Sequence, residues 1–139
     1  MRVLIVGAGA VGQVYGRHLQ QAGVQLSYFV KDKYAMALRT GLTLYDLNRV
    51  EPWDPIPFCG FETLTELSEV RANRWDQVWL CMSSTGLKGE WLDDFLEAIG
   101  DAAVVSLQPG LKDQEFLRAK VGMERLVTGL IGFIAYQAP

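Results

Sequence analysis

The chain has 139 residues, half of them hydrophobic and 21% charged, which is enough for one well-buried globular domain. Its formal net charge of −3 argues against nucleic acid or an anionic membrane surface as a partner. No apolar run approaches the ~20 residues that span a bilayer, and the N-terminal run is too short for a signal peptide. The two cysteines, Cys59 and Cys81, form no C-x-x-C motif, so a reducing compartment, the cytoplasm, is expected.

The first predicted element is a strand at residues 3–6, because four consecutive apolar residues are typical of a strand buried on both faces. Glycines at 7, 9 and 12 follow with the G-x-G-x-x-G spacing, and an amphipathic helix is predicted over residues 10–22. This spacing allows a tight turn, close approach of a diphosphate, and exposure of helix N–H groups to it. The predicted cofactor contacts in this stretch are Gly7, Ala8, Gly9, Ala10, Val11 and Gly12.

A lysine follows the second predicted strand, residues 24–30. NAD-binding domains usually have an Asp or Glu near this position, which accepts a hydrogen bond from the ribose 2′-hydroxyl. A cation instead fits the 2′-phosphate of NADP, so Lys31 predicts NADP as the cofactor. Asp32, one position later, leaves NAD open, and Lys31 could alternatively be a solvated loop charge.

The remaining predicted elements alternate between helix and strand. A helix is predicted over 32–40, followed by a hairpin-like excursion over 42–61 that starts with a strand at 42–47. A short helix is predicted near 61–69, where Thr63 and Glu66 have the spacing of a capping box. The later elements are a strand at 76–82, a helix at 87–99, a strand at 102–107, a helix at 112–120, and strands at 125–128 and 131–136. The alternation predicts a Rossmann-type α/β fold: a doubly wound, mostly parallel sheet with helices on both faces. Residues 1–139 are expected to form one dinucleotide-binding domain.

The loop after the strand at 76–82 is a second candidate for cofactor contact. Ligands of doubly wound sheets bind beyond the carboxyl ends of the strands, and Ser83 and Ser84 occupy that position. The alternative for both residues is simple turn formation. One histidine and two separated cysteines give no support to a metal site.

Two stretches resemble the ketopantoate reductases (2-dehydropantoate 2-reductases), and the resemblance extends over nearly all of the chain. Residues 7–13 read Gly-Ala-Gly-Ala-Val-Gly-Gln, where the family has G-x-G-A-x-G-Q. Residues 106–111 read Ser-Leu-Gln-Pro-Gly-Leu, where the family has a turn similar to Gln-Asn-Gly-Leu-Gly. The resemblance implies an NADP-binding domain, hydride transfer from NADPH to a 2-keto acid or similar carbonyl, and a role in pantothenate biosynthesis. It also implies that Lys31 meets the 2′-phosphate.

Two positions depart from the family pattern. The family usually has a lysine directly after the fourth strand, where this chain has Ser83; the nearest lysine, Lys88, would serve only in a longer loop. The asparagine of the later turn is Pro109 here, so its amide hydrogen bonds are lost. Both changes leave the substrate open, whereas the phosphate cradle is unaffected.

The resemblance further implies a helical second domain, which supplies the lysine that protonates the developing alkoxide. The last predicted strand ends three residues before the end of the chain, so a C-terminal substrate domain is expected to be missing. No general acid is assigned, and we expect NADPH binding with little or no turnover. The expected partners are the carbonyl substrate and that domain, with an oligomer possible.

Two alternative functions stay open. The first is a nucleotide-sensing regulatory module, similar to the cytosolic gating domains of ion channels; those usually carry an acid after the second strand, so Lys31 argues against it. The second is a non-catalytic relative that keeps the cofactor for structure.

Overall fold

The computed structural model describes residues 1–137, so the last two residues of the expected domain lie outside the described range. The strands are β1 (Arg2–Val6), β2 (Gln25–Phe29), β3 (Leu42–Leu44), β4 (Ile56–Phe58), β5 (Glu62–Leu64), β6 (Gln77–Leu80), β7 (Ala103–Ser106) and β8 (Leu126–Thr128). The helices are α1 (Ala10–Gln21), α2 (Asp32–Arg39), α3 (Leu67–Arg71), α4 (Trp91–Ala98) and α5 (Leu111–Val121), with a 3₁₀ turn at Ser84–Leu87.

Six strands form one parallel sheet in the order β5-β2-β1-β6-β7-β8. β1 lies in the centre of the sheet. The chain adds strands on one side of β1 first (β2, β5) and then on the other side (β6, β7, β8), which is the Rossmann arrangement. The predicted fold class is therefore confirmed. The predicted hairpin is also present, because β3 and β4 pair antiparallel in a separate two-stranded sheet.

The central strand β1 is buried on both faces, as its apolar run predicted. Leu4 and Val6 belong to one core cluster, and Val3 and Ile5 belong to the other. The first cluster includes Val70 of α3, Phe95 of α4 and Leu117 of α5, while the second includes Ala35 and Leu38 of α2 and Phe58 of β4. Each buried Val, Leu, Ile or Phe side chain contributes roughly 1.5–3 kcal/mol, so helices are held on both faces of the sheet.

Several predicted elements have different bounds in the structure. The strand at 42–47 is limited to β3, and the helix at 87–99 is shorter, because a 3₁₀ turn ends at Leu87 and α4 begins at Trp91. Gly89, between them, has φ +153°, which interrupts helical backbone. The predicted capping box was displaced: Thr63 lies in β5, which extends the sheet beside β2, and the box is formed by Glu66 and Glu69 of α3.

The predicted strand at 131–136 was wrong, because residues 131–137 contain no strand. After β8 the chain leaves the sheet, and the ring of Phe133 packs against Tyr15 of α1 with 5.1 Å between centroids. Phe133 thus covers part of α1, and the segment does not pair with a neighbouring strand. In the described part of the chain, no helix has the length and apolarity needed to cross a membrane.

Candidate functional site

The turn between β1 and α1 has a geometry that excludes side chains at two positions. Gly7 has φ +96°, and a Cβ there would lie 2.8 Å from the carbonyl oxygen of Cys81. A Cβ at Gly12 would overlap the Gly7 carbonyl oxygen. The N–H of Gly7 donates to the carbonyl oxygen of Phe29 at 3.1 Å, so the turn begins in register with β2. The first and third glycines of the motif therefore keep α1 close to the sheet.

The N-terminus of α1 has no side-chain cap. Its N-cap is Gly9, which supplies no side-chain cap, and its first turn contains no acidic residue. The first N–H groups of a helix have no intrahelical partner, and the dipole adds partial positive charge. A Cβ at Gly9 would meet no protein atom within 4 Å. The turn therefore presents bare donors to an open space, as an anion site requires.

A glutamine fixes the middle of this turn. The side-chain Nε2 of Gln13 donates to the carbonyl oxygen of Ala8 at 2.8 Å, and its main-chain N–H donates to that of Gly9 at 3.0 Å. Gln13 is the last residue of the motif at positions 7–13, and its role was not predicted. The bond joins residues close in sequence, so the spacing of the motif could have suggested it.

A cleft of about 280 Å³ lies between the start of α1 and the carboxyl ends of β6 and β7. Its lining residues are Gly9, Ala10, Val11, Leu80, Cys81, Met82, Ser83, Leu107 and Ile131. This is the crevice where the strand order reverses, the usual ligand position in such sheets. Four predicted residues line it, and Gly7, Ala8 and Gly12 form the turn behind it. Ile131 was missed because its place depends on the path of the chain after β8.

The two predicted serines differ in position. Ser83 lines the cleft and is exposed; its hydroxyl lies 2.8 Å from that of Thr85. Ser84 is half-buried at the first position of the 3₁₀ turn and does not line the cleft. The carbonyl oxygen of Ser83 accepts from the N–H of Gly86 at 2.8 Å, so turn formation, the alternative considered for this loop, does occur. Lys88 is exposed outside the lining of the cleft.

Lys31 lies beyond the carboxyl end of β2, outside the cleft. It is the N-cap of α2 and is exposed, and no ion pair within residues 1–137 involves it. The neighbouring cation Lys33 lies 4.8 Å above the ring of Tyr34. Because Phe29 of β2 bonds to Gly7, Lys31 follows the strand next to the glycine turn. A positive charge is thus available on the β2 side of the site.

The cleft itself is neutral. None of its lining residues within the described range is Asp, Glu, His, Lys or Arg. Burial raises the pKa of the Cys81 thiol to about 12, so this thiol is protonated at neutral pH and is a poor nucleophile. Residues 1–137 also contain no cluster of three or more His, Cys, Asp or Glu side chains suited to a metal ion.

A larger open groove of about 420 Å³ lies at the other end of the sheet. Arg2 and Glu62 line it and form an ion pair at 3.7 Å, and Glu62 accepts a hydrogen bond from Ser27. The groove is at the amino ends of β1, β2 and β5, away from the glycine turn. Its two charged residues, Arg2 and Glu62, are paired with each other.

Comparison with known families identifies the family of the chain. Residues 3–139 match the model of the family described as Ketopantoate reductase PanE/ApbA. The chain belongs to the ketopantoate reductase family. The predicted resemblance is therefore confirmed, and the chain is a NAD(P)-binding domain of the ketopantoate reductase type. No curated protein matches its sequence.

Solved structures agree with the ketopantoate reductase fold. The 2-dehydropantoate 2-reductase from Geobacter metallireducens has a TM-score of 0.81 at 21% identity, covering 100% of this chain and 44% of that one. A PanE/ApbA family ketopantoate reductase from Ralstonia eutropha has a TM-score of 0.71 at 26% identity, with coverage of 92% and 40%. D-mandelate dehydrogenase, solved with NADH and anilino(oxo)acetate, has a TM-score of 0.69 at 21% identity, with coverage of 94% and 40%. The chain thus spans less than half the length of these proteins.

Proposed function

We propose that this chain is the NADP(H)-binding domain of a reductase that transfers a hydride from NADPH to a 2-keto acid or a similar carbonyl compound. The observation that carries the proposal is the bare N-terminus of α1, which opens onto the neutral cleft where the strand order reverses. Family membership suggests pantothenate biosynthesis as its pathway. The cytoplasm is the proposed compartment, because Cys59 and Cys81 both carry free thiols.

The residues of the turn fit a dinucleotide diphosphate. The main-chain N–H groups at the start of α1 would donate to its oxygens, and the absence of a side chain at Gly9 leaves room for them. No carboxylate in the first turn of α1 opposes the negative charge. The proposed contacts are those of the sequence analysis: Gly7, Ala8, Gly9, Ala10, Val11 and Gly12.

The charge of Lys31 supports NADP over NAD. An exposed lysine beyond β2 can approach a 2′-phosphate, and within residues 1–137 no carboxylate is paired with it. Asp32 is the first residue of α2 and would favour the 2′-hydroxyl of NAD if it, rather than Lys31, faced the ribose. Lys31 is therefore the residue on which the choice of cofactor depends.

The neutral cleft suits the nicotinamide half. Ser83, which lines it, and Ser84, the next residue in the loop, are the proposed polar contacts. The bound cofactor supplies the hydride, and the developing oxyanion needs a positioned proton donor or cation. The described lining of the cleft offers neither at neutral pH. The donor must therefore come from elsewhere in the protein, and a C-terminal domain of the same protein is the proposed source.

Exposed apolar side chains support the proposal of a partner domain. They lie on β8, in the segment after it and beside the two ends of α5, and they are Leu111, Met123, Val127, Leu130, Ile131, Ile134 and Tyr136. Leu130 is 76% exposed and Ile134 is 95% exposed. The five from Val127 to Tyr136 are close in sequence, and clustered exposed apolar side chains usually mark an interface. The relatives are more than twice as long as the chain, so the rest of the protein is the proposed occupant, and self-association is the alternative.

The second candidate function is a non-catalytic module that binds the cofactor for regulation or structure. It is favoured by Ser83 and Pro109, which replace the family lysine and asparagine. The two candidates share the cofactor site and differ in turnover by the full-length protein.

The deciding experiment is titration with NADPH and with NADH, followed by tryptophan fluorescence. Gly9→Ala adds a methyl group to open space, so it should weaken binding of both cofactors at least tenfold while lowering stability by about 1 kcal/mol or less. Gly132→Ala is the matched control, since a Cβ there also meets no atom within 4 Å. Lys31→Ala should weaken NADPH alone.

Three results would count against the proposed function. If Gly9→Ala binds both cofactors as the wild type does, the site is not at the glycine turn. Equal affinity of the wild type for NADPH and NADH would contradict the assignment of NADP. Binding by the full-length protein without reduction of any 2-keto acid would favour the non-catalytic module.

A further inference from the structure

We propose that Gln108 is a positioning residue of the dinucleotide site: its side-chain amide holds the loop after β6 in the shape that the nicotinamide half of the cofactor needs. The inference rests on the proposed function and adds a residue that touches neither the cofactor nor the substrate. Gln108 follows β7 and does not line the cleft.

The amide of Gln108 is buried and fully bonded. The residue is only 3% exposed. Its Nε2 donates to the carbonyl oxygens of Leu80 at 3.1 Å and Met82 at 2.7 Å, and its Oε1 accepts from the hydroxyl of Ser106 at 2.8 Å. Both amide hydrogens and the amide oxygen are therefore used. A buried amide that bonds the end of β7, the end of β6 and the loop after β6 fixes their relative position.

The side-chain hydrogen bonds of Gln108 take the place of main-chain hydrogen bonds where the pairing of β6 and β7 ends. Leu80 and Ser106 form the last pair between β6 and β7. Beyond it, the chain after β7 turns away toward α5, so the main-chain ladder stops while the chain after β6 continues toward the cleft. Gln108 donates to the carbonyl of Met82 at this point, in place of a strand N–H. Pro109 restricts the backbone before it to extended conformations, which favours the geometry of Gln108.

The carbonyl groups held by Gln108 belong to the wall of the cleft. Leu80, Met82 and Ser83 all line it, and the Met82 carbonyl is part of the peptide that leads to Ser83. Without the amide, the carbonyl groups of Leu80 and Met82 would each lose a donor, and the loop would be less constrained. The α1 amides and Lys31, which face the phosphates, lie on other elements and make no hydrogen bond to Gln108. The glycine turn does pack against Cys81, but the main chain of Cys81 is held by its own bond to Val6. The effect should therefore be larger on the nicotinamide half than on the phosphates.

The test compares a whole cofactor with half of it. Gln108→Met keeps the length of the side chain and removes every hydrogen bond, and Gln21→Met, at an exposed position, is the matched control. Calorimetric titration would use NADPH and adenosine 2′,5′-bisphosphate, which lacks the nicotinamide half. We expect the Kd for NADPH to rise about tenfold in Gln108→Met, with the Kd for the bisphosphate unchanged within about twofold. If the wild type prefers NADH, NADH and ADP are the probes.

A purely structural role gives a different result. It would lower Tm and either weaken both probes equally or weaken neither, and each of these outcomes overturns the proposal. If Gln108→Met does not fold, Ser106→Ala tests the same point, because it removes only the bond to Oε1 and should weaken NADPH about threefold without affecting the bisphosphate. If the wild type binds neither probe, the proposed function itself fails, and the role of Gln108 with it.

Discussion

The hydroxyl of Tyr28 on β2 donates a hydrogen bond to the main-chain carbonyl of Gly12 in the first turn of α1, with 2.9 Å between the oxygens. The phenol reaches this carbonyl because Gly16, one turn later, has no Cβ to block it. Tyr28 is fully buried, and its ring packs edge-on against Phe61 and Phe58. The sheet is thus bonded directly to the helix that carries the proposed phosphate site.

Replacing Tyr28 with phenylalanine should remove this bond and leave the packing of the ring intact. The free energy of unfolding should fall by about 1 kcal/mol, the usual net worth of one such bond. Urea unfolding measures the change, with Tyr45→Phe, at an exposed position, as the control. A Tyr28→Phe variant as stable as the wild type would show that the bond contributes nothing.

A methyl group at Gly16 should also destabilise the protein. Its Cβ would overlap the Tyr28 hydroxyl, so Gly16→Ala should lower the free energy of unfolding by about 1–3 kcal/mol, although alanine is the better helix former. A double-mutant cycle with Tyr28→Phe locates the cause, because the cost of Gly16→Ala should be smaller once the hydroxyl is gone. Additive effects would mean that the clash lies elsewhere.

The first half of the fold could be predicted from sequence because its signals are local. An apolar run, glycines and an amphipathic pattern fix β1, α1 and the start of β2 within about 30 residues. The wrong predictions concern segments whose structure depends on contacts with residues distant in sequence. Residues 131–136 are apolar enough for a strand, but Phe133 packs on Tyr15, from the other end of the chain. Neither residue carries a local sign of that contact.

The candidate site also has parts with a local sequence signal and parts that depend on distant contacts. Spacing alone identified the glycine turn, and Ser83 followed from its place after a strand. Gln108 was visible in the motif, yet its role depends on carbonyl groups 28 and 26 residues earlier. A polar side chain directly after a buried strand is the signal that could have pointed to it, since buried amides are normally bonded.

Stability should fall in alkaline solution because two buried groups resist ionisation in the folded state. Burial raises the pKa of Cys81 to about 12, and burial together with the nearby Cys81 raises the pKa of Tyr28 above its ordinary value. Unfolded chains release these protons near about pH 8.5 and pH 10, whereas the folded protein keeps them. The stabilisation is therefore complete below pH 8.5 and lost as pH rises, by at most about 1.4 kcal/mol per pH unit for each group.

Unfolding free energies measured between pH 8 and pH 11 test this dependence. Cys81→Ala should remove the loss that begins near pH 8.5, while the loss that begins near pH 10 should remain. A Cys81→Ala variant with the pH profile of the wild type would show that the thiol ionises equally well in the folded protein.

Gln13 offers a test that separates affinity from stability. Its amide donates to the carbonyl of Ala8, so Gln13→Leu should loosen the glycine turn and raise the Kd for NADPH about fivefold to tenfold. Gln13→Glu loses the same bond and adds a negative charge beside the proposed diphosphate, so its affinity should fall further. The glutamate also lies in the first half of α1, where its charge favours the helix dipole, so Gln13→Glu should be at least as stable as Gln13→Leu. Titration with NADPH should therefore show weaker binding by Gln13→Glu than by Gln13→Leu, although urea unfolding shows no loss of stability in the glutamate variant. NADPH affinity of Gln13→Glu equal to or above that of Gln13→Leu would mean that no anion binds at the start of α1.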